Sequence, residues 1–318
     1  MNQKILLTGI TGQVGQELQQ TLTTLGEVIG VGRQELDLSQ PAEIRRRIAE
    51  IKPNIIVNAA AYTAVDKSEN EPEMAMAINA QAPTAIAQAA EEIGATLLHI
   101  STDYVFNGQN HTPYLETDPT APLGVYGQSK LLGEAGVQDN CDRHIILRTA
   151  WVYGSRGHGN FVKTMLKLGA AKEELRVVAD QIGSPTWSYD IAVFITQLLA
   201  KSLNDPRIKG IYHFTNSGVA SWYDLAVATF AEARQVGFPL KIKRVLPIAT
   251  DDFPTLTQRP AYSVLSKAKI VATLEDYPPY WRESLRTMLS EWHSISIKDE
   301  KKLHKLISNN QQQLSRKQ

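Results

Sequence analysis

Short apolar runs alternate with longer amphipathic segments through the first half of the chain. Apolar runs of about four to eight residues are typical of buried strands, whereas apolar positions three or four apart are typical of helices. By these criteria the predicted strands are residues 4–8, 28–31, 55–58, 96–101 and 145–152. The predicted helices between them are residues 13–25, 42–51, 73–93 and 126–137.

This alternation predicts an α/β fold, a Rossmann-like doubly wound parallel sheet with helices on both faces. After Trp151 the pattern is less regular, although 211–214 still indicates a strand. Ser221 and Asp224 have the spacing of a capping box and predict the start of a helix over 225–235.

The pattern also suggests how the chain is divided. The regular part predicts a nucleotide-binding domain, the irregular part predicts a smaller C-terminal substrate-binding lobe, and the polar end predicts a frayed or disordered tail. The corresponding ranges are 1–153 with parts of 180–215, then 154–293, and finally 294–318.

Composition narrows the class of protein. The 33 basic and 33 acidic residues cancel, so neither nucleic acid nor a membrane surface is expected as a partner. A single cysteine, Cys141, excludes an intramolecular disulfide, as in the reducing cytosol. The first strand begins too close to Met1 for a signal peptide, and no apolar stretch reaches the roughly 20 residues of a membrane span. These features predict a cytoplasmic protein.

A glycine-rich turn directly follows the first strand and leads into the first helix. Such glycines permit a tight turn, close approach of a pyrophosphate to the backbone, and close packing of helix on strand. The helix N-terminus adds free N–H groups and a partial positive charge for the phosphates. The candidate cofactor residues are therefore Gly9, Thr11, Gly12, Gln13, Val14 and Gly15.

Tyr126 and Lys130 are four residues apart in a predicted helix and would share one face. A phenol has a pKa of about 10, and a neighbouring cation favours the phenolate and should lower that value. Thr102 follows an apolar run, and its hydroxyl could donate a hydrogen bond to a carbonyl oxygen that becomes an alkoxide. The three residues predict a catalytic group.

These motifs together resemble those of the extended short-chain dehydrogenase/reductase family, and more narrowly the dTDP-4-dehydrorhamnose reductases. The resemblance covers roughly residues 4–290. The motifs that carry it are Thr11-Gly12-Gln13-Val14-Gly15, Asn58-Ala59-Ala60-Ala61-Tyr62-Thr63-Ala64-Val65-Asp66, Ser101-Thr102-Asp103-Tyr104-Val105-Phe106, Tyr126-Gly127-Gln128-Ser129-Lys130, Arg148-Thr149-Ala150-Trp151-Val152-Tyr153-Gly154, Asp180-Gln181-Ile182-Gly183-Ser184-Pro185-Thr186 and Arg259-Pro260.

The resemblance implies an NAD(P)H-dependent reduction of the C4 ketone of dTDP-4-dehydro-6-deoxy-L-mannose, which gives dTDP-L-rhamnose. It implies that Tyr126 donates the proton, that Lys130 lowers the phenol pKa and holds the nicotinamide ribose, and that Thr102 polarises the carbonyl. It also places three residues near the sugar: Val65, Asp103 and Trp151. For Trp151, a purely structural indole is an equal alternative.

The nucleotide part of a dTDP-sugar needs cations or a helix start for its pyrophosphate. Asn160, which precedes a helical pattern, and Arg259 are the candidates, although both could equally cap and brace the smaller lobe.

Arg33, after the second strand, could bind a 2′-phosphate and favours NADPH, with NADH also usable. The resemblance places Asp37 and Leu38 beside the adenine. The small side chains after the third strand would line the cofactor: Ala59, Ala60 and Ala61.

Alternative functions remain open. Sugar-nucleotide dehydratases of this fold have a Glu after the Thr-Asp pair, where this chain has Tyr104. A non-catalytic NADP-binding regulatory subunit resembling the methionine adenosyltransferase beta subunit is the main rival. Some relatives form homodimers around Mg²⁺, which leaves a homodimer open for this chain. No metal is predicted, because Tyr189 stands where a carboxylate partner of Glu17 would be needed. His99 and His213 are expected to be hydrogen-bonded strand residues.

Overall fold

The computed structural model describes residues 3–157 and 159–295, and these confirm the predicted α/β fold. Its strands in chain order are β1 Gln3–Thr8, β2 Gly26–Val31, β3 Ile55–Asn58, β4 Thr96–Thr102, β5 His144–Thr149, β6 Val152–Tyr153, β7 Glu174–Val178, β8 Ile182–Gly183, β9 Thr186–Trp187, β10 Gly210–His213, β11 Ala220–Ser221 and β12 Arg244–Ile248. Its α-helices are α1 Gln13–Thr21, α2 Pro41–Ile51, α3 Val65–Ser68, α4 Pro72–Met76, α5 Ala82–Ile93, α6 Val125–Asn140, α7 Phe161–Ala171, α8 Ser188–Ser202, α9 Trp222–Val236, α10 Ala268–Leu274 and α11, residues 281–295.

The central sheet of the described residues has six strands in the order β10-β5-β4-β3-β1-β2, and every neighbouring pair is parallel. Because β1 pairs with both β2 and β3, the chain crosses from one side of β1 to the other after β2. Open parallel sheets bind ligands beyond the carboxyl ends of their strands at such a switch point.

Alternating residues of each strand pack on opposite faces of the sheet. Ile5 and Leu7 of β1 join a core that contains Leu18 of α1 and Ile195 of α8. Leu6, between them, joins a second core with residues of α2, α5 and α6. Both faces are therefore buried, which explains why these strands read as nearly continuous apolar runs.

Helices α7, α9 and α11 pack together in a separate apolar cluster, with members such as Val162, Leu225 and Leu285. Helix α9 begins with the predicted capping box, in which Ser221 Oγ accepts from the Asp224 backbone N–H at 3.0 Å. Strand β10 and helix α8, in contrast, pack with the central sheet.

Three predicted elements are interrupted in the structure. The predicted strand 145–152 ends at Thr149, because Trp151 has a φ of 48° and interrupts the extended backbone. The predicted helix 73–93 is divided by a π-helical segment, Ala77–Gln81. The predicted helix 13–25 ends earlier and continues as a 3₁₀ turn over Leu22–Thr24.

Most of the predicted polar tail, residues 296–318, lies outside the described residues, and 294–295 still belong to α11. Within the described ranges, we find no helix with the length and apolar content that a bilayer crossing requires.

Candidate active site

A cavity of about 880 Å³ lies at the carboxyl ends of β1 to β5. Its volume is within the range of about 300–1,000 Å³ that small-molecule and cofactor sites occupy. Most of the residues predicted from the sequence lie in its wall: Gly9, Thr11, Gly12, Gln13, Val14, Arg33, Asp37, Leu38, Ala59, Ala60, Ala61, Val65, Thr102, Asp103, Tyr126, Lys130, Trp151 and Asn160.

The glycine-rich turn brings three backbone segments into close contact. Gly9 has a φ of 74°, and a Cβ atom there would lie 2.7 Å from the carbonyl carbon of Ala59. A Cβ atom at Gly15 would lie 2.0 Å from the Gly9 carbonyl oxygen, so only glycine lets α1 start against the turn. Gly15 therefore shapes the turn from outside the cavity wall. Gly12 caps α1 without a side-chain hydrogen bond, which leaves N–H groups free for an anion.

The end of β2 forms another part of the wall. The Glu35 carboxylate accepts a hydrogen bond from the Gly32 backbone N–H at 2.9 Å, and Arg33 faces the cavity. Asp37 accepts from both the backbone N–H and the hydroxyl of Ser39, and these bonds lower its pKa, with a smaller contribution from Arg33. This region thus combines a guanidinium with an ionised carboxylate.

The three candidate catalytic residues meet at the opposite wall. Tyr126 and Lys130 lie on the buried face of α6, and Thr102 ends β4. The Thr102 hydroxyl lies within hydrogen-bonding reach of the Tyr126 phenol. It also lies 3.1 Å from a carboxylate oxygen of Asp103. The Tyr104 ring packs edge-on against that of Tyr126, at 5.5 Å between centroids.

Burial controls the acidity of these groups. It raises the pKa of Tyr126 to about 12, an effect that the Thr102 hydrogen bond reduces and the Asp103 charge increases. Lys130 is not among the groups that shift the Tyr126 pKa here, so the lowering of that pKa by Lys130 stays a prediction. Burial lowers the pKa of Lys130 itself to about 8, although nearby Glu134 raises it. Burial also raises the pKa of Asp103 to about 6, against several hydrogen bonds that lower it.

An aromatic wall borders the cavity beside the first residues of α7 and α9. The Trp151 ring stacks on Trp222 with 3.6 Å between centroids and 2° between planes. Its other neighbour is Gly183, where a Cβ atom would lie 2.4 Å from the indole. Trp151 is thus held by packing and also lines the cavity, and its contact with a sugar stays a prediction.

Asn160 links the start of α7 to the start of α1. Its Oδ1 caps α7 by accepting from the Lys163 backbone N–H at 2.9 Å, and its Nδ2 donates to Gln13 Oε1 at 2.7 Å. Arg259, however, is not in the cavity wall, because its guanidinium pairs with the Asp66 carboxylate at 3.0 Å. Binding of a pyrophosphate by Asn160 or Arg259 stays a prediction.

Other residues of the site were not identified from the sequence. The Tyr62 phenol donates to Glu71 at 2.7 Å, and Lys67 pairs with the same carboxylate at 2.8 Å, all three in the cavity wall. Asn79 is buried and bonds both the Tyr62 backbone and the Ser129 hydroxyl. Its location in a π-helical segment, which often marks functional sites, becomes visible only in the structure.

The described residues contain no group of three or more His, Cys, Asp or Glu arranged to hold a metal ion. Glu17 is buried, and its carboxylate lies 3.7 Å from the Arg156 guanidinium. Burial raises the pKa of Glu17, while Arg156 lowers it. Both predicted strand histidines are hydrogen-bonded, His99 to Asn58 and Lys130, and His213 to the Tyr114 carbonyl.

Comparison with known proteins agrees with this geometry. Residues 3–294 match the family model described as RmlD substrate binding domain. A dTDP-4-dehydrorhamnose reductase of Escherichia coli (strain K12) is 45% identical over 291 residues, which are 90% of this chain and 97% of that protein. A crystal structure of dTDP-4-dehydrorhamnose reductase from Bacillus anthracis str. Ames in complex with NADP is 37% identical, with a TM-score of 0.85, and covers 92% of this chain and 100% of that one. A UDP-glucose 4-epimerase from Thermus thermophilus, 21% identical with a TM-score of 0.75 over 91% and 98% of the two chains, shares the fold.

Proposed function

This chain belongs to the dTDP-4-dehydrorhamnose reductase family, and we propose that it is an NAD(P)H-dependent reductase of the C4 ketone of dTDP-4-dehydro-6-deoxy-L-mannose, with dTDP-L-rhamnose as the product. The observation that carries the proposal is that Thr102, Tyr126 and Lys130 face the same cavity as the glycine-rich turn. A cofactor bound at the turn and a sugar bound at the catalytic wall would thus share one enclosed space.

The cavity suits a nicotinamide dinucleotide. The free N–H groups at the start of α1 provide an anion site for the pyrophosphate, and Gly9 and Gly12 carry no side chains that would fill it. Arg33 supplies a planar guanidinium for a 2′-phosphate. Glu35, the acid that would otherwise bind a 2′-hydroxyl, is hydrogen-bonded to Gly32 instead. These features favour NADPH, and NADH lacks only the contact with Arg33.

The proposed reaction adds a hydride and a proton to the ketone. The reduced nicotinamide supplies the hydride to C4, and it leaves as NAD(P)⁺. Tyr126 gives its phenolic proton to the C4 oxygen, and its high pKa keeps that proton in place until the oxygen becomes basic. Thr102 donates a hydrogen bond to the same oxygen, and the Lys130 ammonium stabilises the phenolate that forms. In this scheme Trp151, Val65 and Asp103 position the sugar.

The decisive experiment is the oxidation of NADPH, followed by the loss of its near-ultraviolet absorbance, by the purified protein with the 4-keto sugar nucleotide. We expect cofactor oxidation that depends on both the protein and the sugar, with a dTDP-6-deoxyhexose reduced at C4 as the product. Firm binding of NADPH without any turnover would instead support the regulatory-subunit alternative. Failure to bind NADPH would contradict both.

A further inference from the structure

A chain of buried hydrogen bonds runs behind Lys130, away from the cavity. Lys130 Nζ lies 3.3 Å from His99 Nε2, and His99 Nδ1 lies 3.0 Å from Asn58 Nδ2. His99 is completely buried, and Asn58 is 1% exposed. The proposed reaction uses neither His99 nor Asn58, although they occupy the space next to the lysine ammonium.

The partners of Asn58 determine the orientation of its amide. Asn58 Oδ1 accepts a hydrogen bond from the Thr8 hydroxyl at 2.7 Å and from the Ala60 backbone N–H at 3.3 Å. Since a backbone N–H can only donate, the atom facing Ala60 must be the oxygen, and the amide nitrogen must face His99. Asn58 Nδ2 therefore donates to His99 Nδ1.

That donation fixes the tautomer of the imidazole. His99 is neutral, because burial and the nearby Lys130 charge hold its pKa well below the usual value. In a neutral imidazole one nitrogen accepts and the other carries the hydrogen. With Nδ1 as the acceptor, Nε2 carries the hydrogen and points it at Lys130.

An N–H group at this position favours the neutral amine form of Lys130 over the ammonium. Lys130 Nζ already donates to the Ile100 carbonyl at 2.6 Å. The lone pair of a neutral amine can also accept a hydrogen bond from the His99 N–H. An ammonium has no lone pair, so its hydrogens would face the hydrogen of His99. We propose that His99 is a positioning residue for Lys130. The His99 Nε2–H, which Asn58 orients, makes the lysine a readily reversible proton carrier. This role rests on the proposed reduction. It allows Lys130 to return a proton to the Tyr126 phenolate after each turnover and to take one up from water.

Other charged groups also act on Lys130. Glu134, one turn along α6, raises the lysine pKa, but Arg148 of β5 neutralises this carboxylate through two nitrogen atoms at 2.6 and 2.9 Å. Asp103 and Tyr126 face the site from the cavity side. Among these groups, His99 acts without a net charge, through the direction of one N–H bond.

The first test measures the tautomer directly. ¹⁵N NMR of the full chain, labelled at its seven histidines and without cofactor or sugar, should show His99 with a protonated Nε2 and a bare Nδ1. The His99→Gln spectrum assigns the signal by its loss. A protonated Nδ1 would overturn the proposal. Because no turnover is involved, this outcome is independent of whether the chain is a reductase.

The second test follows the pH dependence of kcat in variants. At basic pH, kcat should fall as Lys130 loses its proton, and this fall is the basic limb of the pH profile. His99→Leu removes the opposing N–H without adding charge, so the basic limb should move up by about half to one pH unit. An unchanged limb or a downward shift would contradict the proposal.

A second variant keeps the test decisive if the leucine variant does not fold. Asn58→Asp retains the acceptor for Thr8 and Ala60 but presents an oxygen to His99 Nδ1, which should reverse the tautomer and raise the limb. Asn79→Asp is the matched control, because it adds a buried carboxylate near α6 that does not contact His99. An equal shift in both aspartate variants would reduce the effect to charge alone and would overturn the role of the tautomer.

Discussion

Tyr126 is a buried phenol, and in the proposed reduction it holds its proton until the ketone oxygen requires it. At a pKa of about 12 it is almost entirely protonated at neutral pH. Burial thus suits a donor in the direction of reduction, whereas the reverse oxidation would need the phenolate. The bound cofactor and the charged state of Lys130 decide how far this value falls during turnover.

Replacing Tyr126 by Phe should lower kcat by about 10²- to 10⁴-fold, the usual contribution of a positioned proton donor. NADPH affinity should change little, because the ring remains. Steady-state kinetics and a fluorescence titration measure the two quantities. Tyr153→Phe is the matched control: Tyr153 is also buried, donates to the Trp281 carbonyl at 3.2 Å and lies outside the cavity wall. A Tyr126→Phe protein with normal kcat would remove this residue from the mechanism.

Asp103 should link stability to pH. Its folded-state pKa is about 6, above the ordinary value of 3.8, so the folded protein binds this proton more tightly than the unfolded chain. The free energy of unfolding should therefore fall as pH rises from about 4 to about 6 and stay lower above that range. Asp103→Asn should abolish this loss and be more stable at pH 7 by on the order of 1–3 kcal/mol, with no gain below pH 4.

Urea unfolding of the wild type and Asp103→Asn at several pH values tests this expectation. The exposed Asp251→Asn serves as the control and should show no pH-dependent gain. A gain from Asp103→Asn that is equal at pH 4 and pH 7 would show that burial of the charge is not its cause.

At the scale of elements, the apolar periodicity was sufficient to predict a strand or a helix where tertiary packing and local preference favour the same element. The inner strands β1, β3, β4 and β5 are largely buried on both faces, and their apolar runs revealed them. The glycine-rich turn and the pair Tyr126 and Lys130 were recognisable because their function depends on local spacing. The order of the strands was not recognisable from local spacing, because the pairing of β1 with β3 joins residues about 50 positions apart.

The errors in element bounds have tertiary causes. The strand that contains Thr149 stops because Trp151 adopts a left-handed backbone and stacks on Trp222, some 70 residues later in the chain. The long helix is divided at Asn79, which turns to bond the Tyr62 backbone and Ser129. Neither long-range contact leaves a periodic signal in the sequence, and both lie beside the candidate site.

The close contact between α1 and the glycine-rich turn should be sensitive to a single methyl group. Gly15→Ala would place its Cβ 2.0 Å from the Gly9 carbonyl oxygen, so α1 must move away from β1. We expect a loss of unfolding free energy of about 1–3 kcal/mol and weaker NADPH binding. Gly159→Ala is the control for stability, because its added Cβ has no atom of the described residues within 4 Å other than those of its chain neighbours. Equal stability of both variants would contradict the proposed packing role.

At the scale of the whole molecule, the cavity joins parts that are far apart in sequence. The end of β2, the turn after β1 and the buried face of α6 all contribute to it, and Asn160 bonds the start of α7 to Gln13 beside the turn. A cofactor that spans these parts should stabilise the entire fold, because it binds the folded chain only.

Thermal unfolding should therefore report cofactor choice. At a concentration of about 100 times its Kd, NADPH should add about 2.7 kcal/mol to the free energy of unfolding. NADH at the same concentration should add less, because it lacks the 2′-phosphate that we propose Arg33 binds. Arg33→Ala should remove most of this difference, whereas Arg46→Ala, an exposed arginine paired with Glu50 on α2, should preserve it. If Arg33→Ala weakens NADPH and NADH equally, the guanidinium does not bind the 2′-phosphate, and the preference must come from another part of the β2 end.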